Sequence, residues 1–222
     1  MRSTEIKTVL LAAASLAACS QGTQATVQTV PPPARVVEGD SAAIARASAD
    51  SVRYPYTPAD IHFMAGMIAH HAQAIHMARW ASSHVAGDAV VRLAERIVNA
   101  QQDEIVLMQQ WLADRRQPVP EPSPHGMKMV MNGQEHLMLM PGMLSESQLR
   151  ELDQARGSAF DRLFLRFMIQ HHQGAVRMVK ELLATPGSGV DLTVFKLASD
   201  IHVDQITEIR RMELMLAALP PS

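Results

Sequence analysis

Residues 60–78, DIHFMAGMIAHHAQAIHMA, and residues 161–179, DRLFLRFMIQHHQGAVRMV, are two copies of one pattern, 101 positions apart. Further along, at an offset of 104, a Gln-x-x-Glu-Ile motif is also repeated, at residues 101–105 and 205–209. Self-similarity at a fixed spacing indicates a duplicated structural unit. Each unit therefore consists of a His-His half followed by a Gln-x-x-Glu half.

Each half has the apolar spacing of an amphipathic helix. In the first unit, Thr57-Pro58-x-Asp60 predicts a capped helix start with proline in the first turn. Ser158-x-x-Asp161 predicts the same cap in the second unit. We therefore interpret Asp60 and Asp161 as capping residues rather than catalytic ones.

Short breaks at Gly87 and at Pro186-Gly187 divide each unit into two helices. Two helical hairpins that cannot bury their apolar stripes alone predict an all-α, four-helix bundle over residues 57–219. Repeat one covers 57–114 and repeat two 158–217. A long connection, 115–157, lies between them, with a short helix predicted to start at Ser145-x-x-Gln148.

The beginning of the chain predicts export. Residues 1–18 combine a basic start with a short apolar stretch, as in a signal peptide. Leu16-Ala17-Ala18-Cys19 resembles a lipoprotein lipobox, which predicts lipidation of Cys19 and an envelope anchor facing the periplasm. The alternative is ordinary cleavage that leaves a soluble protein with a spare thiol. Residues 19–56 lack a sustained apolar period and predict a disordered tether.

Composition excludes several functional classes. The net charge is −2 and no basic patch is visible, which disfavours nucleic-acid binding. A single Cys excludes an intrachain disulfide framework, a cysteine-based zinc site and an iron–sulfur cluster. Aromatic residues make up 4% of the chain, which disfavours a β-sandwich. No hydrolase, metalloprotease or phosphate-binding motif is present, so we expect a protein without enzymatic activity.

Polar residues fall on the inward faces of the predicted helices. On a helical projection His70 and His71 flank the apolar stripe, and Glu104 lies within that of the partner helix. The repeat places His171, His172 and Glu208 equivalently. Buried ionisable groups need partners. Two interpretations remain open: a structural His–Glu network, or transition-metal coordination from facing helices.

The connection contains a second concentration of metal-binding residue types. Thioethers with imidazoles suit Cu(I), although methionine also fills irregular gaps in a core. We therefore predict either a soft copper site or a cover for one end of the bundle. The candidate ligands are His125, Met127, Met129, Met131, His136, Met138, Met140 and Met143. In extended chain, Met127, Met129 and Met131 share one side, as do Met138 and Met140.

The paired Met-Ile-x-His-His-x-x-Ala and Gln-x-x-Glu-Ile motifs, with Pro-Gly-Met and Phe-Asp-x-x-Phe-Leu between them, resemble the bacterial secreted proteins of domain-of-unknown-function family 305. The resemblance spans roughly residues 57–217. It implies a ferritin-like fold of two-helix repeats, and copper binding in the periplasm as found in some members. It assigns the family's His-His motif to His70, His71, His171 and His172. The copies differ at Ala72-Gln73 against Gln173-Gly174, which predicts unequal halves.

Together these observations predict an envelope-anchored protein that binds a transition metal, with copper as the first candidate, for tolerance, storage or delivery. The paired histidines would be ligands, and Glu104 and Glu208 ligands or orienting groups. The runner-up is a structural or interaction module of the envelope. A ferritin-like redox enzyme is disfavoured because the Glu-x-x-His pairing of di-iron bundles is missing. The sequence indicates no oligomeric state.

Overall fold

The structure is a computed structural model that describes residues 41–131 and 134–220. The predicted signal peptide, the predicted lipidation site Cys19 and the first part of the predicted tether lie outside the described residues. Within that part of the chain there are six helices and one small antiparallel sheet. The elements are α1 (Ser41–Arg53), α2 (Pro58–Arg79), α3 (Asp88–Asp114), β1 (Met127–Met131), β2 (Gln134–Met138), α4 (Glu146–Gln154), α5 (Gly157–Ala184) and α6 (Leu192–Ala218).

The four long helices correspond to the two repeats, and the all-α prediction is confirmed. The most extensive contacts run between α2 and α3 and between α5 and α6, and α2 also packs against α5. Their apolar stripes form two buried clusters, the first around Met67 and Met108 and the second around Phe160 and Phe164. Burial of each such side chain contributes about 1.5–3 kcal/mol, so packing between the hairpins stabilises helices that neither hairpin could hold alone.

The predicted cap of α2 is present. The Thr57 hydroxyl accepts from the Asp60 backbone N–H, and Asp60 Oδ2 accepts from the Thr57 backbone N–H at 2.6 Å. The equivalent cap of α5 was predicted wrongly. Gly157, at φ +57°, opens that helix and donates to the His84 carbonyl, so Ser158 already lies inside it. Asp161 instead accepts from the Gly87 backbone N–H, 3.1 Å from each carboxylate oxygen.

Two further elements lie beside the bundle. Helix α4 begins with the predicted capping box, in which Ser145 and Gln148 exchange hydrogen bonds. Helix α1 shows that the prediction of a disordered tether over residues 19–56 is wrong for residues 41–53. Only Ala47 of α1 is buried, and the helix touches α3 lightly, so contacts with the bundle contribute little to this helix. No helix in the described ranges is long and apolar enough to cross a membrane.

Candidate metal centre

The four paired histidines form a layer in the middle of the bundle. His70 and His71 of α2 and His171 and His172 of α5 are all fully buried. The ring centroids of His70 and His171 lie 3.7 Å apart, across the contact between the two helices. Within each pair the centroids are 6.2 Å apart. The duplicated motif therefore brings four imidazoles into one row.

Three of these rings are held through Nε2. His71 donates to Glu104 Oε2 at 2.8 Å, and His172 donates to Glu208 Oε2 at 2.6 Å. His70 donates to the Pro141 carbonyl at 3.0 Å. In each case Nδ1 is buried and has no hydrogen-bond partner. Histidines that bind a metal through one nitrogen commonly donate the other N–H to a carboxylate or a carbonyl, which is the arrangement seen here.

Unpartnered polar atoms are concentrated around the same layer. Both ring nitrogens of His171 are buried without a partner, as are both side-chain polar atoms of Gln101 and Oε1 of Gln205. A buried polar group left without a partner costs about 1–3 kcal/mol. Native interiors contain few such groups, so a concentration in one layer indicates a place for an ion or ordered water.

Burial keeps the central imidazoles neutral. It lowers the pKa of His70 and of His171 well below the usual value, and the neighbouring histidines lower each pKa further. The Pro141 carbonyl and the His171 backbone oppose this lowering of the His70 pKa without overcoming it. Neutral imidazole is the form that binds transition metals, because its unprotonated nitrogen offers a lone pair.

The four histidines suit a transition metal, because imidazole is a common ligand and each ring has an unpartnered nitrogen. In the arrangement described, however, no group of three or more His, Cys, Asp or Glu side chains among the described residues converges as a metal site. His70 and His171 are the pair of rings in closest contact. A complete set of ligands therefore requires rotation of neighbouring rings or a ligand of another type.

The described residues of the Met-rich connection are divided between the core and solvent. Met127, Met140 and Met143 are buried in the core, whereas Met138 and His136 are exposed. Strand β2 ends at Met138, so the expectation that Met138 and Met140 share a side is wrong. The two strands pair in antiparallel fashion, with Met129 opposite His136.

The other candidates of the connection lie apart. His125 is exposed, and its Nδ1 lies 2.6 Å from Glu146 at the start of α4. Met129 is partly buried against the core. Met131 is the last residue of β1, and its side chain lies outside the part of the chain that the structure describes. The residues of this connection therefore reach different environments, because the hairpin and its exit segment divide them between core and solvent.

Residues 140–144, here called the strap, cross over the histidine layer where α2 meets α5. Gln73 fixes it, since its side-chain amide donates to the Leu144 carbonyl at 3.0 Å and accepts from the Leu144 N–H at 2.6 Å. At the matching position of α5, Gly174 lets the strap pass: a Cβ there would lie 1.9 Å from the Pro141 carbonyl oxygen. The sequence difference between the repeats is thus explained by the strap, a role that periodicity could not reveal.

The remaining histidines have other surroundings. His84, for which no role was predicted, is buried and donates from Nε2 to the Asp153 carbonyl at 2.9 Å. His62 is exposed as expected. His76 is half-buried, with its ring edge-on to Trp80. His202 is partly buried, and its Nδ1 has no partner.

The fold and its centre define a class of helical proteins built from two His-His hairpins around a buried imidazole layer. The chain belongs to the DUF305 family (Domain of unknown function), whose sequence profile matches residues 60–216. No functionally curated protein matches the chain.

Solved structures of similar proteins agree with this assignment. A DUF305 fragment from Deinococcus radiodurans is 33% identical, with 74% of this chain and 99% of that one covered and a TM-score of 0.60. A DUF305 protein from Streptomyces coelicolor, described as secreted, is 30% identical over 72% and 92% of the two chains, with a TM-score of 0.59. CopM in its Cu(II)-bound form is 31% identical over 71% and 95%, with a TM-score of 0.55. CopM is also known in Cu(I)-bound and silver-bound forms.

Proposed function

We propose that this protein binds copper at the histidine layer and serves in copper tolerance, storage or delivery, without turning over a substrate. One observation carries the proposal. His70, His71 and His172 each donate from Nε2 to an oxygen acceptor and keep Nδ1 buried and unpartnered. The likeness to CopM, which has been solved with Cu(I), Cu(II) and silver, supports copper as the ion.

In this proposal Nδ1 of His70, His71 and His172 would be metal ligands, and His171 could bind through either nitrogen. Glu104 and Glu208 would orient the rings rather than bind the ion, because their contacts with the histidines use Nε2. Bound copper would satisfy nitrogens that otherwise lack partners. Imidazole ligands suit both common oxidation states of copper.

The strap would close the layer on the side where α2 meets α5. Met140 and Met143 of the strap are buried in the core of the bundle, and Met127 of β1 belongs to the same apolar cluster. These thioethers would supply soft ligands for Cu(I) if the strap shifts on binding. The exposed Met138 and His136 would be available for capture of the ion at the surface.

The proposed setting is the cell envelope. Residues 1–18 would direct export and a lipid on Cys19 would hold the protein at the membrane, consistent with a secreted relative in the family. Expression with labelled palmitate in a bacterial host tests this. We expect label in the wild-type protein and recovery with membranes, and expect Cys19→Ala to lose both. An unlabelled wild-type protein would argue against the anchor.

Copper retention tests the central proposal. The purified full chain, loaded with Cu(I) or Cu(II) and dialysed, should keep copper, measured by elemental analysis. The variant with alanine at His70, His71, His171 and His172 should lose most of it. His84→Gln is the matched control, because His84 is also buried but both its ring nitrogens have partners.

The two functional interpretations give different results. If the histidines formed only a structural network, both the fourfold variant and His84→Gln would lower the melting temperature, and neither would change the copper content. A wild-type chain that takes up neither Cu(I) nor Cu(II) would rule out the proposal.

A further inference from the structure

The histidine layer has a second side, opposite the strap. Helices α3 and α6 are not among the extensively packed pairs, and a cleft of about 380 Å³ lies between them. Its polar lining consists of carboxylates from both helices, and Leu107 and Val203 are apolar residues at its exposed edge. The carboxylates are Asp103, Glu104, Asp200 and Asp204.

Glu104 connects this cleft with the buried layer. Its side chain is 18% exposed and lines the cleft, while Oε2 accepts from the fully buried His71 at 2.8 Å. His71 is therefore aimed at the floor of the cleft, and its second nitrogen has no partner. The Glu104 carboxylate is therefore in contact with both the cleft and that imidazole.

The charges around the cleft act on one another. Burial raises the pKa of Asp204, and the negative charges of Glu104, Glu208 and Asp200 raise it further. Lys196 is paired with Asp200 one turn away and Glu104 contacts His71, whereas Asp103 and Asp204 take part in none of the described ion pairs. A recess lined by one sign of charge concentrates cations and speeds their association.

The opposite side of the layer is closed by contrast. The strap lies against α2 and α5 so closely that Gly174 has no room for a side chain, and His70 is bonded to the Pro141 carbonyl. An ion arriving there would have to displace backbone. The cleft requires only that the Glu104 side chain swing away from His71.

We propose that the cleft between α3 and α6 is the route by which a copper cation enters and leaves the histidine layer, with Glu104 as its gate. This inference rests on the proposed function. Asp103 and Asp204 draw the cation into the cleft, and Glu104 passes it inward when its bond to His71 opens. Glu208 makes the equivalent contact with His172 and is 22% exposed.

The rate of copper uptake by the full chain tests the route. Copper(II) chloride is mixed rapidly with the metal-free protein in a weakly coordinating buffer, and tryptophan fluorescence quenching is followed. The variant D103N/D204N should take up copper at least about threefold more slowly at low ionic strength, and this difference should shrink as salt is added. Its final copper content should equal that of the wild type.

Matched controls separate the route from general effects. E95Q/E213Q removes the same charge from exposed positions of the same two helices and should leave the rate within about 1.5-fold, because these residues lie outside the cleft. Val203→Trp should obstruct the cleft and slow both uptake and release. Leu137→Trp, exposed on the β-hairpin, should slow neither.

The outcomes distinguish the two proposals. If the wild type binds copper but D103N/D204N and Val203→Trp keep wild-type rates, the cleft route is wrong and the copper function stands. The route is equally wrong if the control pair slows uptake as much as the cleft pair. If the wild type binds no copper, both the copper function and the cleft route are wrong.

Discussion

Asp60 Oδ1 accepts a hydrogen bond from the Gly189 backbone N–H at 2.7 Å, so the start of α2 holds the loop of the second hairpin. Asp161, its counterpart in the second repeat, accepts from Gly87 in the loop of the first hairpin. Each repeat therefore has an aspartate that accepts a hydrogen bond from the loop between the two helices of the other repeat. The two aspartates nevertheless differ in how many donors they serve, and this difference is measurable.

Asp60→Asn should destabilise the protein by about 1–3 kcal/mol, measured by chemical denaturation. Asp60 uses one carboxylate oxygen for the Thr57 N–H and hydroxyl and the other for Gly189. An asparagine would replace one of these acceptors with a donor. Asp88→Asn, at an exposed position, is the control and should change stability by less than about 0.5 kcal/mol.

Asp161→Asn should leave stability nearly unchanged or raise it slightly. Burial raises the pKa of Asp161, which means that the buried negative charge is unfavourable, and the Gly87 N–H offsets this only in part. Asparagine keeps one oxygen for Gly87 and removes the charge. A loss as large as that of Asp60→Asn would contradict this account.

Stability should fall as the pH is lowered from about 7 toward 5. In the unfolded chain histidine titrates near about 6.5. Burial lowers the pKa of His70 and His171 in the folded state, so below about 6.5 the unfolded chain binds more protons. Stability is therefore fully present above that pH and is lost as the pH drops toward the lowered values.

Melting temperatures across this range would check the assignment. The variant H70Q/H171Q should show a shallower dependence on pH, because its central layer no longer takes up protons on unfolding. H62Q/H136Q removes two exposed histidines and should keep the wild-type dependence. Equal slopes in all three proteins would contradict a role for the buried rings.

Gly174→Ala should be strongly destabilising, by at least about 2 kcal/mol, because its methyl group would meet the Pro141 carbonyl oxygen at 1.9 Å. We expect a lower denaturation midpoint and faster amide exchange in residues 140–144. Gln173→Ala, next to it and exposed, should show neither change.

Glu104→Gln and Glu208→Gln should each weaken copper binding about 10–100-fold without abolishing it, which is typical of groups that orient a ligand. Competition with a coloured copper chelator would measure this. His171→Ala should cause a larger loss in the same assay. A complete loss on replacement of either glutamate would identify it as a ligand instead.

The helices and the facing of histidines toward glutamates were predictable because both depend on periodicity. The repeat predicted that His71 and Glu104 point inward, and the structure places them 2.8 Å apart. The α5 cap was not predictable, since Ser158-x-x-Asp161 has the local form of a cap while a contact with Gly87 decides its role.

The strap and the cleft could not be predicted from the sequence either. Their positions depend on a missing side chain at Gly174, on the amide of Gln73 and on the spacing of α3 from α6. None of these produces a periodic pattern. How the connection divides was not predictable for a related reason, because the hairpin sends Met127 into the core and leaves His136 in solvent.

A single strap crossing two related helices requires opposite properties of them. Gln73 must reach out to hold it, and Gly174 must leave room for it. Two separate, identical hairpins forming a dimer could not meet both needs, because each would carry the same residue. Joining the hairpins in one chain permits the two helices to differ, with the His70 ring hydrogen-bonded to the Pro141 carbonyl and both ring nitrogens of His171 without a hydrogen-bond partner.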